Sequence, residues 1–187
     1  MVKEPRPGRV KTRLGRDVGM TASAWWFRHQ CRRLIRRLQD PRWELILAVS
    51  PDQAGMTSRV WPGHLRRLPQ GHGDLGVRMS RMFEVAPPGP KVIIGADIPG
   101  VTPALIADAF RALGQADAVF GPAPDGGYWL IGSTGGRGLP SGALQNVRWS
   151  TEHALADSRA SMKGMRIAHI AQLRDVDTIA DLKKATP

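Results

Sequence analysis

Lys91 to Gly100 reads KVIIGADIPG, and this stretch decides the fold. Val92, Ile93, Ile94 and Gly95 form a run too short for a helix and too apolar to face water, which predicts a buried strand. The run stops at Ala96-Asp97, and Pro99-Gly100 turns the chain. Thr102 and Pro103 then supply a helix N-cap and a first helical residue. Strand, acidic turn, helix is the repeating unit of an open α/β sheet, whose ligands bind outside the C-terminal ends of parallel strands. Asp97 stands at such an end. It is the first candidate for holding a metal or a substrate hydroxyl, the alternative being a carboxylate that caps the turn before Pro99.

Outward from this stretch the alternation recurs. Ala22 to Leu38 places Phe27, Cys31, Leu34 and Leu38 on one stripe, with Ala24 and Ile35 beside it, and predicts an amphipathic helix. Arg28, Arg32, Arg33 and Arg36 occupy its other side, with no aromatic interleaving expected there. Trp43 to Val49 predicts a second strand, and the Pro-bounded Trp61 to Pro69 an edge strand. Asp74 is placed to cap a helix whose apolar positions are Leu75, Met79, Met82 and Phe83. Leu105, Ile106, Ala109, Phe110 and Leu113 make another buried helix face, stopped by Gly114. Asp117–Gly121, Tyr128–Gly132 and Met165–Ile170 predict strands, and Trp149 to about Lys163 a helix. Ser133 to Gly142 is glycine-rich and expected to be mobile. Asp177 or Thr178 caps a terminal helix containing Ile179 and Leu182. No repeat or linker interrupts this order. The expectation is one domain over 1–187, a three-layer α/β/α arrangement with a mostly parallel, mixed sheet.

Composition narrows the partners. The chain of 187 residues has 27 Lys+Arg against 16 Asp+Glu, a formal charge of +11. Such an excess favours anionic ligands: nucleotides, phosphates, nucleic acid or acidic surfaces. The Arg-rich helix carries no helix-turn-helix pattern, so nucleic acid is the less favoured of these. The single cysteine, Cys31, excludes an internal disulfide framework and agrees with a reducing compartment. No apolar run reaches the length of a membrane span and no signal peptide opens the chain, so a cytoplasmic location is expected.

The chemistry-bearing residues fall in two groups. MVKEPRPGRVKTRL, residues 1–14, is a basic stretch broken by Pro and Gly. Cations beside exposed backbone N–H groups in a glycine loop suit a phosphate cradle, the alternative being a basic tail. Three acidic turns form the second group: Asp97, Asp125 and the pair Asp175/Asp177. None has His or Cys at metal-ligand spacing, so structural zinc is disfavoured. Carboxylates alone suit a hard cation, Mg²⁺ or Mn²⁺, whose coordination shell phosphate oxygens complete. Asp125-Gly126-Gly127 is first of all a turn signal, and Gly127 would also let the backbone approach a ligand closely. GxxxxGK[ST], GxGxxG and GxSxG are all absent.

The ordered motifs PRPGRVKTRL, GDLGVRM, GADIPG, PDGGYWLIG, VRWSTEH and LRDVDT resemble those of the bacterial DUF2064 proteins, described as glycosyltransferase-A-like transferases. The resemblance runs from Lys3 to about Leu182. It implies the fold of the nucleotide-diphospho-sugar transferase superfamily, which includes molybdenum-cofactor guanylyltransferases and phospholactate guanylyltransferases. The latter share a Lys-Ser/Thr-Arg-Leu element similar to Lys11-Thr12-Arg13-Leu14. The resemblance implies that Gly8, Arg9, Lys11 and Arg13 grip nucleotide phosphates and that Asp97 binds the metal. Asp125 and Asp177 become candidates for a second metal ligand or for substrate hydroxyls, with Gly126 and Gly127 beside the substrate. The implied activity is metal-dependent transfer from a nucleotide-activated donor. Glycosyl transfer from an NDP-sugar to a small-molecule acceptor stands first. Nucleotidyl transfer from an NTP with release of pyrophosphate stands second, and a non-catalytic basic protein binding nucleotide or nucleic acid third. Asp125 is the candidate general base.

Family members carry an apolar strand before the Lys-x-Pro-x-Pro-Gly loop, whereas Met1-Val2 is all that precedes it here. That strand is expected to be central, between Trp43–Val49 and Lys91–Ala96. Its shortness implies either an internal methionine of a longer reading frame or a truncated sheet.

Overall fold

The computed structural model describes residues 1–135 and 139–185. Its elements in chain order are β1 (Val2–Lys3), α1 (Thr12–Val18), α2 (Met20–Arg37), β2 (Leu47–Ser50), α3 (Asp52–Thr57), β3 (Arg67–Pro69), α4 (Leu75–Val85), β4 (Lys91–Ile94), α5 (Pro103–Leu113), β5 (Ala118–Pro122), β6 (Tyr128–Ser133), α6 (Ala154–Ser161), β7 (Ile167–His169) and α7 (Ile179–Ala185). This is a mixed α/β fold, as expected, with one parallel and one mixed sheet. No helix among the described residues is long and apolar enough to cross a membrane. The chain divides into two compact units. The first comprises Met1–Pro69, Gly95–Pro103 and Arg174–Pro187, the second Gln70–Ile94 and Ala104–Leu173.

In the first unit the sheet order is β1-β2-β3, all parallel, with Val2 opposite Val49 and Ala48 opposite Leu68. The N-terminal strand is present as two residues and stands at the end of this order, where the sequence reading places it between two neighbours. The stripe Phe27, Cys31 and Ile35 of α2 packs with Val2, Val10, Leu47, Val49, Trp61 and Ala96 into one apolar cluster. β2 starts four residues later than expected. Trp43 belongs instead to the preceding turn, where its Nε1 donates to Leu38 O (2.9 Å) and the Arg42 guanidinium lies over its ring. The outer face of α2 departs from expectation as well. Trp25 is 55% exposed, stacks on His29 and lies under the Arg28 guanidinium, so an aromatic does interleave with the arginines. Arg67 closes the segment between α3 and β3, its guanidinium donating to the carbonyls of Gly55, Met56, Ser58 and Trp61 at 2.8–3.1 Å.

In the second unit the order is β4-β6-β5-β7. Ile131 of β6 lies opposite Ile93 and Phe120, and β7 runs parallel to β5 with His169 opposite Phe120. Val119, Phe120, Leu130 and Ile131 are fully buried, because the two middle strands are covered on both edges. Two expectations for Lys91–Gly95 are corrected. β4 is an end strand of this sheet, so its residues are only half-buried, and its partner β6 runs antiparallel to it. Asp74 caps α4 as expected, its Oδ1 accepting from Val77 N at 2.9 Å. α6 begins at Ala154, later than expected, because Thr151 Oγ1 donates to Arg148 O and residues 148–153 form a turn before the helix. Of the glycine-rich stretch Ser133–Gly142, residues 136–138 lie outside the described residues.

Candidate functional site

Lys11 sits at the residue before α1 in the left-handed backbone region, φ 46°. That conformation is uncommon for a side chain larger than Gly, Asn or Asp and marks a backbone held by its surroundings. What it achieves is the aim of the side chain. Lys11 Nζ lies 2.6 Å from Asp97 Oδ2 and 2.6 Å from Asp177 Oδ1, with only 6% of the side chain exposed. Arg13, the second residue of α1 and 67% exposed, reaches Asp177 Oδ2 at 3.3 Å.

Each carboxylate is positioned by its own segment. The turn that follows β4 is anchored by α2: Arg37 Nη1 donates to Pro99 O (2.8 Å) and Val101 O (3.0 Å), and Cys31 Sγ approaches Ala96 O (3.8 Å). Val176 N donates to Asp97 O at 3.3 Å, bringing the segment before α7 alongside. Val176 is 1% exposed, and its neighbours Asp175 and Asp177 alternate to the opposite side, as residues i and i+2 of an extended segment do. Thr178 and Asp181 settle which residue caps α7. Asp181 N donates to Thr178 Oγ1, and the Asp181 carboxylate accepts from Thr178 N and Oγ1 and from Asp177 N. That reciprocal arrangement is a capping box with Asp in the place of Glu. With Thr178 in the capping role, the Asp177 carboxylate is turned to Lys11.

Oxygen atoms of Asp97, Asp175 and Asp177 all lie within 4.8 Å of one another. A donor set made only of carboxylate oxygens is the chemistry that a hard cation such as Mg²⁺ or Mn²⁺ takes, so the residues present fit the expected metal. Burial by itself would lower the Lys11 pKa. The Asp97 charge, the hydrogen bonds to Asp177 and Asp97, and the Asp177 charge outweigh it and hold the ammonium above its ordinary value. Behind Asp97, burial together with the Asp97 charge pushes the Cys31 thiol up to about 12, so it stays neutral and unreactive.

The family described as an uncharacterized protein conserved in bacteria, DUF2064, matches residues 34–151, more than half of the chain. The chain belongs to DUF2064. Solved structures extend the likeness beyond the matched segment. A protein of Desulfovibrio desulfuricans G20, provisionally named a nucleotide-diphospho-sugar transferase, is 29% identical with TM-score 0.83, over 97% of this chain and 81% of that one. The 4-diphosphocytidyl-2C-methyl-D-erythritol synthase of Anaerococcus prevotii is 11% identical with TM-score 0.57, over 85% and 83%. Molybdopterin-guanine dinucleotide biosynthesis protein A of Archaeoglobus fulgidus is 12% identical with TM-score 0.51, over 83% of each chain. The last two establish likeness of fold. No curated protein matches this chain significantly.

In this DUF2064 protein Lys11, Arg13, Asp97 and Asp177 are gathered at one place, and Gly8 and Arg9 are exposed on the loop that leads to Lys11. Asp175 joins them. The signal for it was the D-x-D spacing around an apolar residue, which puts both carboxylates on one side of an extended segment. Asp125, Gly126 and Gly127 belong to the second unit, where they connect β5 to β6. Asp125 Oδ1 accepts from Gly127 N at 3.0 Å, an Asx-type turn. Gly126 has φ +82°, and a Cβ there would lie 2.1 Å from Glu152 O, so its missing side chain serves the close approach of residues 150–155. Leu155 N donates to Gly126 O across that contact.

Proposed function

We propose that this protein is a divalent-metal-dependent transferase acting on a nucleotide-activated donor, with glycosyl transfer from an NDP-sugar as its reaction. The observation that carries the reading is the convergence of Asp97, Asp175 and Asp177 beside Lys11. The likeness to the Desulfovibrio protein at 29% identity supports the choice of donor. When bound, Mg²⁺ or Mn²⁺ would supply a positive charge for the donor's phosphates and for the charge that grows on the departing diphosphate. Asp97, Asp175 and Asp177 would hold the ion. Arg9 and Arg13, both exposed in the same unit, would meet phosphate oxygens, and Gly8 would keep the loop backbone open to them. The acceptor oxygen bonds to the anomeric carbon, the bond from that carbon to the phosphate oxygen breaks with its electron pair going to the diphosphate, and the acceptor's proton passes to a base. Asp125 is the candidate for that base, and Gly126 and Gly127 complete its turn.

The test is product analysis with a panel of NDP-sugars and NTPs in the presence of Mn²⁺. Release of NDP together with a glycosylated acceptor supports the reading, with loss of at least about a hundredfold in Asp97→Asn, the range expected when one electrostatic contact to the transition state is removed. Asp125→Asn tests the base through a lowered turnover rate with donor and Mn²⁺ binding retained. Pyrophosphate release from an NTP, with no turnover of any NDP-sugar, would transfer the assignment to nucleotidyl transfer. Salt-sensitive binding of DNA or RNA that ignores both metal and Asp97→Asn, with no turnover at all, would leave a binding protein.

A further inference from the structure

We propose that Lys11 is the resident counter-cation of the acidic cluster, and that a divalent cation takes its place there only by displacing the Lys11 ammonium, which is thereby released for the donor's phosphates. The inference rests on the metal-dependent reading above and adds to it an order of events and a competitor.

The geometry carries it. One ammonium bridges Asp97 Oδ2 and Asp177 Oδ1 at 2.6 Å each, on the two segments that would have to supply a metal's ligands. An ion coordinated by these carboxylates would stand next to a buried like charge, and like charges at such separations repel strongly where water is scarce. The side chain is 6% exposed, so neither bulk water nor salt screens that repulsion well. Lys11 has the means to leave. Its ammonium ends a flexible four-carbon stem, so it can swing away without any movement of the backbone held at φ 46°. Arg9, Arg13 and Arg16, all exposed and within five residues of Lys11 in the chain, supply further positive charge suited to phosphate. Saturating metal can drive the exchange by itself, and charge balance favours it most when the donor's phosphates are present as well. Without donor, the ammonium neutralises the carboxylates. With donor and metal, the dication neutralises the carboxylates and the ammonium neutralises phosphate. Lys11 thus ties metal occupancy to donor occupancy, which a lysine dedicated to phosphate alone would not do.

The test is binding of Mn²⁺ alone, read from the free-ion EPR signal, with no nucleotide and no turnover. Lys11→Met should bind Mn²⁺ at least about tenfold more tightly than wild type, since a full positive charge has been removed from beside the ion. Lys11→Arg, which keeps the charge, should remain as weak as wild type. A wild-type measurement stands beside these in case the methionine variant fails to fold. Acylation by an N-hydroxysuccinimide ester, mapped by peptide mass spectrometry, should spare Lys11 without metal and label it once Mn²⁺ is saturating. Equal or weaker Mn²⁺ binding by Lys11→Met, or a Lys11 that stays protected under saturating Mn²⁺, overturns the displacement while leaving the metal reading intact if Asp97→Asn abolishes Mn²⁺ binding. Absence of Mn²⁺ binding in wild type, Lys11→Met and Lys11→Arg alike overturns both.

Discussion

Removing the carboxylates around Lys11 one at a time and then together should give a non-additive loss of stability. At an effective dielectric near 20, a unit charge pair about 3.5 Å between charge centres attracts by about 5 kcal/mol, while burying an ammonium costs several kcal/mol. One carboxylate therefore roughly cancels the cost of burial and two exceed it, which agrees with a Lys11 pKa held above its ordinary value. Asp97 is 28% and Asp177 37% exposed, so solvent screening reduces what each can contribute. Asp97→Asn and Asp177→Asn should each cost only about 1–2 kcal/mol, because the ammonium keeps one partner. The double variant strands the ammonium and should cost about 4–5 kcal/mol, more than the sum of the singles at their midpoints. Adding Lys11→Met to the double variant removes the orphaned charge and should restore about 2 kcal/mol or more. A group whose folded pKa is raised stabilises fully below its unfolded value of about 10.4 and loses that contribution as pH rises through the folded value. Urea unfolding at pH 8 therefore reads the Lys11 contribution in full. Additive losses in the double variant, or a methionine that restores nothing, would refute the account of Lys11 as a buried cation dependent on two anions.

Cys31 should resist iodoacetamide in the native protein at pH 8.5 and react only on unfolding. Since its thiol is held up at about 12, stability should fall as pH rises above the free-thiol value of about 8.5, by up to about 1.4 kcal/mol per pH unit, and Cys31→Ala should remove that slope. Gly126→Ala should cost about 2–4 kcal/mol, because its Cβ meets Glu152 O at 2.1 Å and its φ is +82°, whereas Gly127→Ala, which meets only the Asp125 side chain at 3.2 Å, should cost less than about 1 kcal/mol; thermal unfolding separates the two. Arg67→Ala should lose about 2–4 kcal/mol by leaving the carbonyls of Gly55, Met56, Ser58 and Trp61 without their shared donor, while Arg66→Ala next to it should be near neutral in the same melt.

Local features were legible in the sequence where one segment supplies the whole signal. The stripe of Phe27, Cys31, Leu34 and Ile35 marked α2, and Asp74 marked the start of α4, because periodicity and capping are properties of neighbouring residues. The direction of β4 was not legible. KVII reads alike in either direction, and its antiparallel partner is chosen by Leu130 to Ser133 far along the chain. The site divides in the same way. Asp97 and Asp177 were singled out as candidates from their turns, and the place of Asp175 beside them follows from the alternation around Val176. The pairing of Lys11 with two of them crosses most of the chain, and no local pattern announces a bridge of that kind. Basic residues in a glycine loop were read as partners of a phosphate, and the structure pairs Lys11 with the carboxylates of Asp97 and Asp177. The two roles are one property of the ammonium, seen against different anions. Two of the three N–H donors of Lys11 are spent on Asp97 and Asp177, so on the proposal above a diphosphate would compete with the carboxylates for this ammonium. On the proposal above, what would decide between them is whichever set of anions is left without a cation, and that would depend on the metal. The motif marks Lys11 without naming its partners, and only the distances to Asp97 and Asp177 show that its ammonium lies on those two carboxylates.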